Sequence, residues 1–262
     1  MTEQAIKFDD GAAYEDFMGI WSQKAGAGFL DWLAPAQGQQ WLDVGCGNGA
    51  FSEMIVQQLK PARLDGVDPS AAQIAYAQDR AGTRGAHFRV GNAMALPYAD
   101  NSVDQAVMAL VIFFVPEPAV GVAEMARVTR PDGVVSAYAW DLADGGGFPY
   151  AMMVSAFKAL GRTPPMPPQA AVATPEGLRA LWQGAGLKNV QTTTIHVERV
   201  FASFEEFWKT ALLGPVIAPA IAEMQAQELE KMQAMVREAL SFDTQGRVIG
   251  KGWAYAVSGV VA

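Results

Sequence analysis

The residues best suited to chemistry are three glycines and an aspartate in the first part of the chain. Gly45, Gly47 and Gly49 alternate within WLDVGCGNGAF, residues 41–51, between an apolar strand and a helix. Glycine lets a turn take positive φ and lets a ligand approach the backbone closely. Asp68 follows about 20 residues later, at the end of the next predicted strand, where a carboxylate can accept both hydroxyls of a ribose. This pairing predicts a nucleoside-containing cofactor and leaves NAD and S-adenosylmethionine both open.

A second aspartate, Asp43, lies at the end of the first strand, just before the glycines. The loop reads G-x-G-x-G and lacks the G-x-G-x-x-G spacing that places a pyrophosphate on a helix amino terminus. A buried carboxylate here would repel a pyrophosphate, but it would attract the ammonium group of a methionine tail. The segment therefore favours a cofactor that is cationic at this end.

The elements that must position these residues alternate between strand and helix. Strands are predicted at 40–44, 63–68, 86–90, 103–109 and 133–140, with helices near 50–58, 70–81 and 118–128. This alternation indicates a parallel sheet whose ligands bind beyond the carboxyl ends of the strands. The exit of the first strand is therefore the expected site.

The flanking segments give weaker patterns. Residues 12–34 suggest two short amphipathic helices, interrupted by Gly26 and Gly28. Thr174, Pro175 and Glu176 have the order of an N-cap, a first-turn proline and a first-turn acid, and so begin a helix that ends at residue 184 or 186. A strand at 190–200, helices within 203–240 that break near 214–219, and a last strand at 252–261 complete the prediction.

Composition excludes several classes of protein. The chain has 262 residues and a formal charge of -8, and we find no Lys/Arg cluster that would hold a nucleic-acid backbone. One cysteine and two histidines give neither an internal disulfide nor a familiar zinc spacing, so no metal is expected. The longest apolar run, 106–115, is about half of the roughly 20 residues of a membrane span, so no membrane insertion is expected. The acidic start, MTEQAIKFDD, lacks the pattern of a signal peptide, which predicts a cytoplasmic protein.

Several segments together resemble the class I S-adenosylmethionine-dependent methyltransferases. They are LDVGCGNG, GVDPS (66–70), VGNAMALPYADNSVD (90–104), VPEP (115–118) and RVTRPDG (127–133). In order and spacing they are similar to the methyltransferase-11 branch, which includes ubiquinone and menaquinone methyltransferases. The resemblance covers about residues 40–140.

The resemblance implies an α/β fold: a Rossmann-like, seven-stranded, mostly parallel sheet with helices on both faces and a helical substrate lid. It implies a helical cover at 1–34, a cofactor-binding core at 35–144, connecting helices and a Pro-rich loop at 145–187, and the last two strands within 188–262. The lid, 203–240, would be inserted between those two strands.

The resemblance also implies which residues contact S-adenosylmethionine and its product, S-adenosylhomocysteine. They are Tyr14, Asp43, Gly45, Cys46, Gly47, Gly49, Asp68, Pro69, Ser70, Asn92, Ala93 and Leu110. Asp43 would hold the amino group and Asp68 the ribose, while Asn92 replaces an aspartate that accepts the adenine amino group. Tyr14, in YEDFMGIWS, would lie on a helix that closes over the cofactor, with Ile20 where arginine is common.

Candidate substrate contacts follow the fourth and fifth strands. Phe113 and Phe114 suit an apolar wall near the transferred methyl group, or simple core packing. Trp140 and Asp141 end the fifth strand, where Asp141 suits either a polar substrate contact or a helix N-cap. Trp208 is a further candidate whose alternative role is helix packing. Cys46 is interpreted as a small packed residue, and His87 and His196 as structural residues.

These observations favour an enzyme that methylates oxygen, nitrogen or carbon of a small molecule. Methyl transfer from a sulfonium depends on alignment and exclusion of water, so no universal catalytic residue is required and none is assigned. The alternatives are an inert scaffold that binds the cofactor and an NAD-dependent oxidoreductase. The second of these requires a pair such as Tyr-x-x-x-Lys, which we do not find. The oligomeric state is left open.

Overall fold

A mixed sheet organises the chain, for which the computed structural model describes residues 15–142, 146–164, 166–214 and 217–262. Its strands are β1 (Gln40–Val44), β2 (Arg63–Asp68), β3 (His87–Val90), β4 (Val103–Ala109), β5 (Thr129–Trp140), β6 (Lys188–Phe201), β7 (Ser241–Phe242) and β8 (Val248–Val260). Over the described ranges, the order in the sheet is β3-β2-β1-β4-β5-β8-β6, and β7 pairs with β8.

The first five strands run parallel, and β8 lies antiparallel between β5 and β6. The predicted Rossmann-like, mostly parallel sheet is confirmed. β7 is an addition of two residues, too short to give a periodic pattern in the sequence. Because parallel strands share one direction, the carboxyl ends of β1 to β5 meet at one edge of the sheet, which we call the carboxyl edge.

The helices are α1 (Ile20–Leu33), α2 (Ala50–Leu59), α3 (Ala71–Asp79), α4 (Pro118–Val128), α5 (Ala151–Ala159), α6 (Pro175–Gly184), α7 (Phe204–Ala211), α8 (Ile217–Ala222) and α9 (Ala226–Ala239). The predicted start of α6 is confirmed, because the Gly177 N–H donates to Oγ1 of Thr174 at 3.0 Å. α7 to α9 lie between β6 and β8, where the helical insertion is expected. The division of the chain into cover, core, connection and lid stays a prediction.

The prediction of two short helices before residue 34 is wrong. A π-helical turn, Glu15–Gly19, continues directly into α1, and Gly26 and Gly28 lie inside that helix. A Cβ atom on Gly28 would lie 2.8 Å from Cγ2 of Ile195 in β6. These glycines therefore let α1 pack closely against its neighbours and do not end a helix.

β5 begins four residues earlier than predicted. Thr129 pairs with Val103, and the register shifts before Gln105 pairs with Val134. Asp132 takes a φ of 61° within this stretch. The segment RPDG has the composition of a turn, but it forms an irregularity within the strand, because a bulge lets extra residues remain in the ladder.

β6 and β8 are both longer than predicted, and they form a ribbon beyond the first five strands, to which β7 adds two residues at the far end. Trp140, the last residue of β5, pairs with Ala254. The pairing of β6 with β8 continues past this point to Phe201 and Val248. The ribbon therefore rises above the carboxyl edge, and α1 packs against it at Gly250, where an added Cβ would lie 3.0 Å from the ring of Trp21.

The core continues from the sheet into the helices that surround it. Its largest fully buried side chains include Trp21, Trp41, Trp182 and Tyr138, and the indole N–H of Trp182 donates to the carbonyl of Val135 at 2.8 Å. In the described part of the chain, none of the helices combines the length and the apolar character needed to span a membrane.

Replacing Gly28 tests the packing of α1 on β6. We expect Gly28→Ala to lower the free energy of unfolding by about 1 kcal/mol, because an overpacking cost of roughly 1–3 kcal/mol exceeds the roughly 0.5–1 kcal/mol that alanine gains in a helix. Urea denaturation measures this change. The control is Gly184→Ala at the end of α6, where an added Cβ meets no atom within 4 Å. A Gly28→Ala protein as stable as the wild type would contradict the close contact.

Candidate functional site

The glycine loop after β1 takes a backbone shape that other residues rarely adopt. Gly45, Gly47 and Gly49 have φ values of 78°, 51° and 80°. The N–H groups of Gly45 and Cys46 both donate to the carbonyl of Val67 in β2, at 2.7 and 3.1 Å. A Cβ on Gly45 would lie 2.5 Å from Cγ1 of Val111, so the loop also packs against the chain that follows β4.

Asp68 connects this loop to the end of β2. Its Oδ2 accepts from the Gly47 N–H at 3.0 Å, and its Oδ1 accepts from the Ser70 N–H at 2.8 Å. Burial raises the pKa of Asp68 above its ordinary value, and these two backbone bonds lower it in part. Each carboxylate oxygen can accept a second hydrogen bond, so the side chain retains capacity for two hydroxyl donors.

Asp43 is fully buried at the end of β1. The Ser52 hydroxyl, in the first turn of α2, donates to its Oδ2 at 2.6 Å, whereas its Oδ1 has no hydrogen-bond partner among the described residues. Burial raises the pKa of Asp43 to about 7; the bond from Ser52 lowers it, and the charge of Asp68 raises it further. A buried acceptor without a partner is costly, so this oxygen is suited to a cationic donor from a ligand.

Cys46 packs as the sequence interpretation expects. It lies with Ile74, Ala77 and Phe88 in a small apolar cluster. Burial raises the pKa of its thiol well above the ordinary value, and the carboxylates of Asp43 and Asp68 raise it further. Because the thiolate is the nucleophilic form, a thiol held neutral in this way does not attack a substrate.

The candidate adenine contacts follow β2 and β3. Pro69 is exposed and Ser70 is half-buried, and Ser70 caps α3 by accepting from the Gln73 N–H at 3.4 Å. Asn92 is exposed in a turn where its Oδ1 accepts from the Met94 N–H at 2.9 Å. The amide oxygen expected to accept from adenine therefore already has one partner, and a second bond would use its remaining lone pair.

The chain after β4 returns towards the glycine loop. Leu110 is buried and has a φ of 62°, and its N–H donates to the carbonyl of Tyr138 in β5 at 2.8 Å. A non-glycine residue in this region is strained, and such strain is common at ligand sites. The backbone bend at Leu110 directs the chain to Val111, which contacts Gly45.

Phe113 and Phe114 lie in a short 3₁₀ turn just after this bend, with ring centroids 4.7 Å apart. Phe113 is buried and Phe114 is half-buried. The carbonyl of Phe113 accepts from the Gln169 N–H at 3.0 Å, and the Gln169 side chain donates to the carbonyl of Pro116 at 2.9 Å. The Pro-rich segment therefore ends against the turn that carries both phenylalanines.

Trp140 and Asp141 are both buried where β5 ends. Tyr150, and not Asp141, is the N-cap residue of the following helix, α5. The Asp141 N–H donates to the carbonyl of Trp253 at 3.3 Å, and a Cβ on Gly147 would meet the Cβ of Asp141 at 2.5 Å. The N-cap alternative for Asp141 is therefore wrong; its backbone is bound to β8, and its Cβ lies close to Gly147.

The remaining candidates do not gather at the carboxyl edge in the same way. Trp208 is buried in α7, where it stacks on Phe204 with ring centroids 6.0 Å apart. His87 is exposed at the start of β3, at the opposite edge, and His196 is exposed in β6. Tyr14 lies outside the described residues, so its predicted contact stays a prediction. The other cofactor candidates follow β1 to β4 at one edge.

Sequence reasoning missed two residues that organise this end of the fold. One is Ser52, whose place three residues after Gly49 could have signalled a contact back to the strand. The other is Tyr150, which is fully buried, stacks on Phe17 at 4.6 Å and donates to its carbonyl at 3.0 Å. Tyr150 follows a glycine-rich stretch that gives no periodic pattern.

The residues at the carboxyl edge are suited to S-adenosylmethionine. The unpartnered oxygen of Asp43 fits an ammonium group, and the carboxylate of Asp68 has capacity for ribose hydroxyls. A pyrophosphate would instead bring negative charge towards two carboxylates. The site therefore favours a cofactor with a cationic tail over a dinucleotide.

Comparison with known proteins identifies a family and several relatives of this chain. Residues 42–137 match the family described as Methyltransferase domain. The chain is 30% identical over 194 residues to the O-methyltransferase rstn1 of Aspergillus nomiae. This match covers 72% of the present chain and 82% of rstn1. It is 34% identical over 108 residues to the ubiquinone/menaquinone biosynthesis C-methyltransferase UbiE of Paracoccus denitrificans, a match over 40% of this chain and 43% of UbiE.

A solved structure shares the fold. Phosphoethanolamine N-methyltransferase 2 of Haemonchus contortus, in complex with S-adenosyl-L-methionine, matches with a TM-score of 0.58 at 17% identity, over 95% of this chain and 56% of that one. The family match, together with the relationship to rstn1 over most of both chains, shows that this chain belongs to the methyltransferase domain family as a class I S-adenosylmethionine-dependent methyltransferase.

Proposed function

We propose that this methyltransferase transfers a methyl group to an oxygen atom of a small, partly apolar molecule. The relative matched over most of its length, rstn1, is named an O-methyltransferase, which supports oxygen as the acceptor atom. UbiE, a C-methyltransferase, is matched over less than half of its length. Two buried aromatic side chains, that of Phe113 after β4 and that of Trp140 at the end of β5, support an acceptor with apolar character.

The observation that carries the proposed cofactor placement is the unpartnered Oδ1 of Asp43. In this placement the methionine part follows the glycine loop, and its ammonium group donates to Asp43. Asp68 accepts from the ribose hydroxyls, and the adenine lies between Ser70 and the turn at Asn92. The glycine loop and the start of α3 lie close together, because the Gly47 N–H and the Ser70 N–H bind opposite oxygens of the Asp68 carboxylate.

Bound S-adenosylmethionine supplies a methyl group activated by a sulfonium. The acceptor oxygen forms a bond to that methyl carbon as the carbon–sulfur bond breaks, and the proton of the acceptor leaves to solvent or to a nearby base. We propose that Leu110 and Phe113 hold the reacting atoms in line and exclude water, which can supply much of the rate in such a displacement. Residues 166–169, which are bound to Phe113 through the N–H of Gln169, would cover the acceptor.

Substitution of Asp68 tests the ribose contact. We expect Asp68→Ala and Asp68→Asn each to weaken binding of S-adenosylhomocysteine by about 1–3 kcal/mol, because a charge-assisted acceptor is lost. Isothermal titration calorimetry measures this change. Asp79→Ala, an exposed aspartate at the end of α3, is the matched control and should bind as the wild type does. A folded Asp68→Asn protein with unchanged affinity, or a wild type that binds NAD in preference, would refute the placement.

The pH dependence of cofactor binding tests Asp43. Because burial raises its pKa to about 7, the carboxyl is neutral below this pH and charged above it. The ammonium group of the cofactor prefers the charged form, so affinity for S-adenosylhomocysteine should fall as the pH is lowered from 8 to 6. Asp43→Asn should bind more weakly at pH 8 and lose this dependence. A wild-type affinity that stays constant between pH 6 and 8 would contradict the contact.

A panel of acceptors tests the chemistry. We expect radiolabelled methyl transfer from S-adenosylmethionine to small phenols or carboxylic acids of apolar character, with mass spectrometry placing the methyl group on oxygen. Matched amines and quinone precursors with the same carbon skeletons serve as controls for nitrogen and carbon acceptors. Products methylated only on nitrogen or carbon would overturn the assignment of oxygen.

A further inference from the structure

The cofactor placement gives no role to Ser52, which lies beside Asp43 at the carboxyl edge. It is fully buried, as is Asp43, and its hydroxyl lies 2.6 Å from Oδ2 of that aspartate. The two residues belong to different elements, β1 and α2. A bond of this length between a hydroxyl and a carboxylate is a charge-assisted one, stronger than a neutral hydrogen bond.

The bond makes the two oxygens of Asp43 different. Oδ2 is held by Ser52, whereas Oδ1 is buried and has no partner among the described residues. A carboxylate fixed at one oxygen cannot rotate freely, so the second oxygen keeps one direction. We propose that Ser52 is a positioning residue: it holds Asp43 in its charged form and presents Oδ1 to the ammonium group of the cofactor. This inference rests on the cofactor placement given above.

Among the described residues, the hydroxyl of Ser52 is the group that favours the charged form of Asp43. On β2, the carboxylate of Asp68 disfavours charge on Asp43, and the thiol of Cys46 also faces these carboxylates. Asp65 on β2 and Glu53 on α2 are paired with Arg63 and Arg80 respectively. Burial and Asp68 therefore act together against the charge of Asp43, and the hydroxyl of Ser52 opposes them.

Removal of the Ser52 hydroxyl should weaken only the contact with the ammonium group of the ligand. Loss of the hydroxyl should make Asp43 bind its proton more tightly, so a higher pH is needed before the carboxylate can hold an ammonium group. On binding at neutral pH, the proton leaves Asp43 for the buffer. A ligand with no ammonium group should not respond, although it occupies the same adenosine site.

The experiment compares two ligands by calorimetry between pH 6 and 9. S-adenosylhomocysteine carries the amino acid tail, and 5′-methylthioadenosine lacks it. In Ser52→Ala, the midpoint of the pH dependence for S-adenosylhomocysteine should rise by about one pH unit, as expected for loss of a hydrogen bond to a charged group. Affinity for 5′-methylthioadenosine should stay within about twofold of the wild-type value at every pH, as expected where no interaction is removed.

Ser52→Cys provides a second variant of nearly the same size if Ser52→Ala does not fold. A thiol is a weak donor, so the midpoint should again move upward. An unchanged midpoint in the folded variants would overturn the role of Ser52, as would an equal weakening of both ligands, which indicates a structural role alone. The placement of Asp43 itself is contradicted if wild-type affinity for S-adenosylhomocysteine shows no pH midpoint, or shows one that Asp43→Asn retains. If the wild type binds neither ligand, the proposed function fails with it.

Discussion

The structure of the carboxyl edge depends on the carboxylate of Asp68. Two loops that leave different strands, the glycine loop after β1 and the start of α3 after β2, each place one N–H on this side chain. Glycine backbone at positive φ would otherwise be free to take other shapes, because it has no side chain to restrict it. Asp68 therefore stabilises the glycine loop and, in the proposed placement, also binds the ligand. Removing the whole side chain would abolish both roles at once.

The charges at the carboxyl edge favour a positive group over a negative one. The charge of Asp68 disfavours charge on Asp43, and burial raises the pKa of both carboxyls. A cation at the loop relieves this repulsion, whereas an anion increases it. We therefore expect the loop to prefer a cationic ligand to an anionic one.

Much of the cofactor edge could be predicted because its signals are local. The bounds of β1, β2, β4 and α4 agree with the pattern, since short apolar runs between glycine, proline and aspartate define them. The helical break expected at Gly26 and Gly28 was wrong because a glycine without a Cβ serves close packing as well as turns, and only the neighbouring element distinguishes the two. The contact of Ser52 with Asp43 and the aromatic packing of Tyr150 depend on tertiary structure that no local pattern records.

The ends of the helical insertion that holds α7 to α9 have a further consequence. Phe201, where β6 ends, pairs directly with Val248, where β8 begins. The insertion thus leaves and re-enters the fold through adjacent residues of a continuous ladder. A segment anchored in this way can change in length or composition while the strands beneath keep their register. Evolution could therefore exchange this helical segment for another and leave the sheet, the glycine loop and Asp68 unchanged.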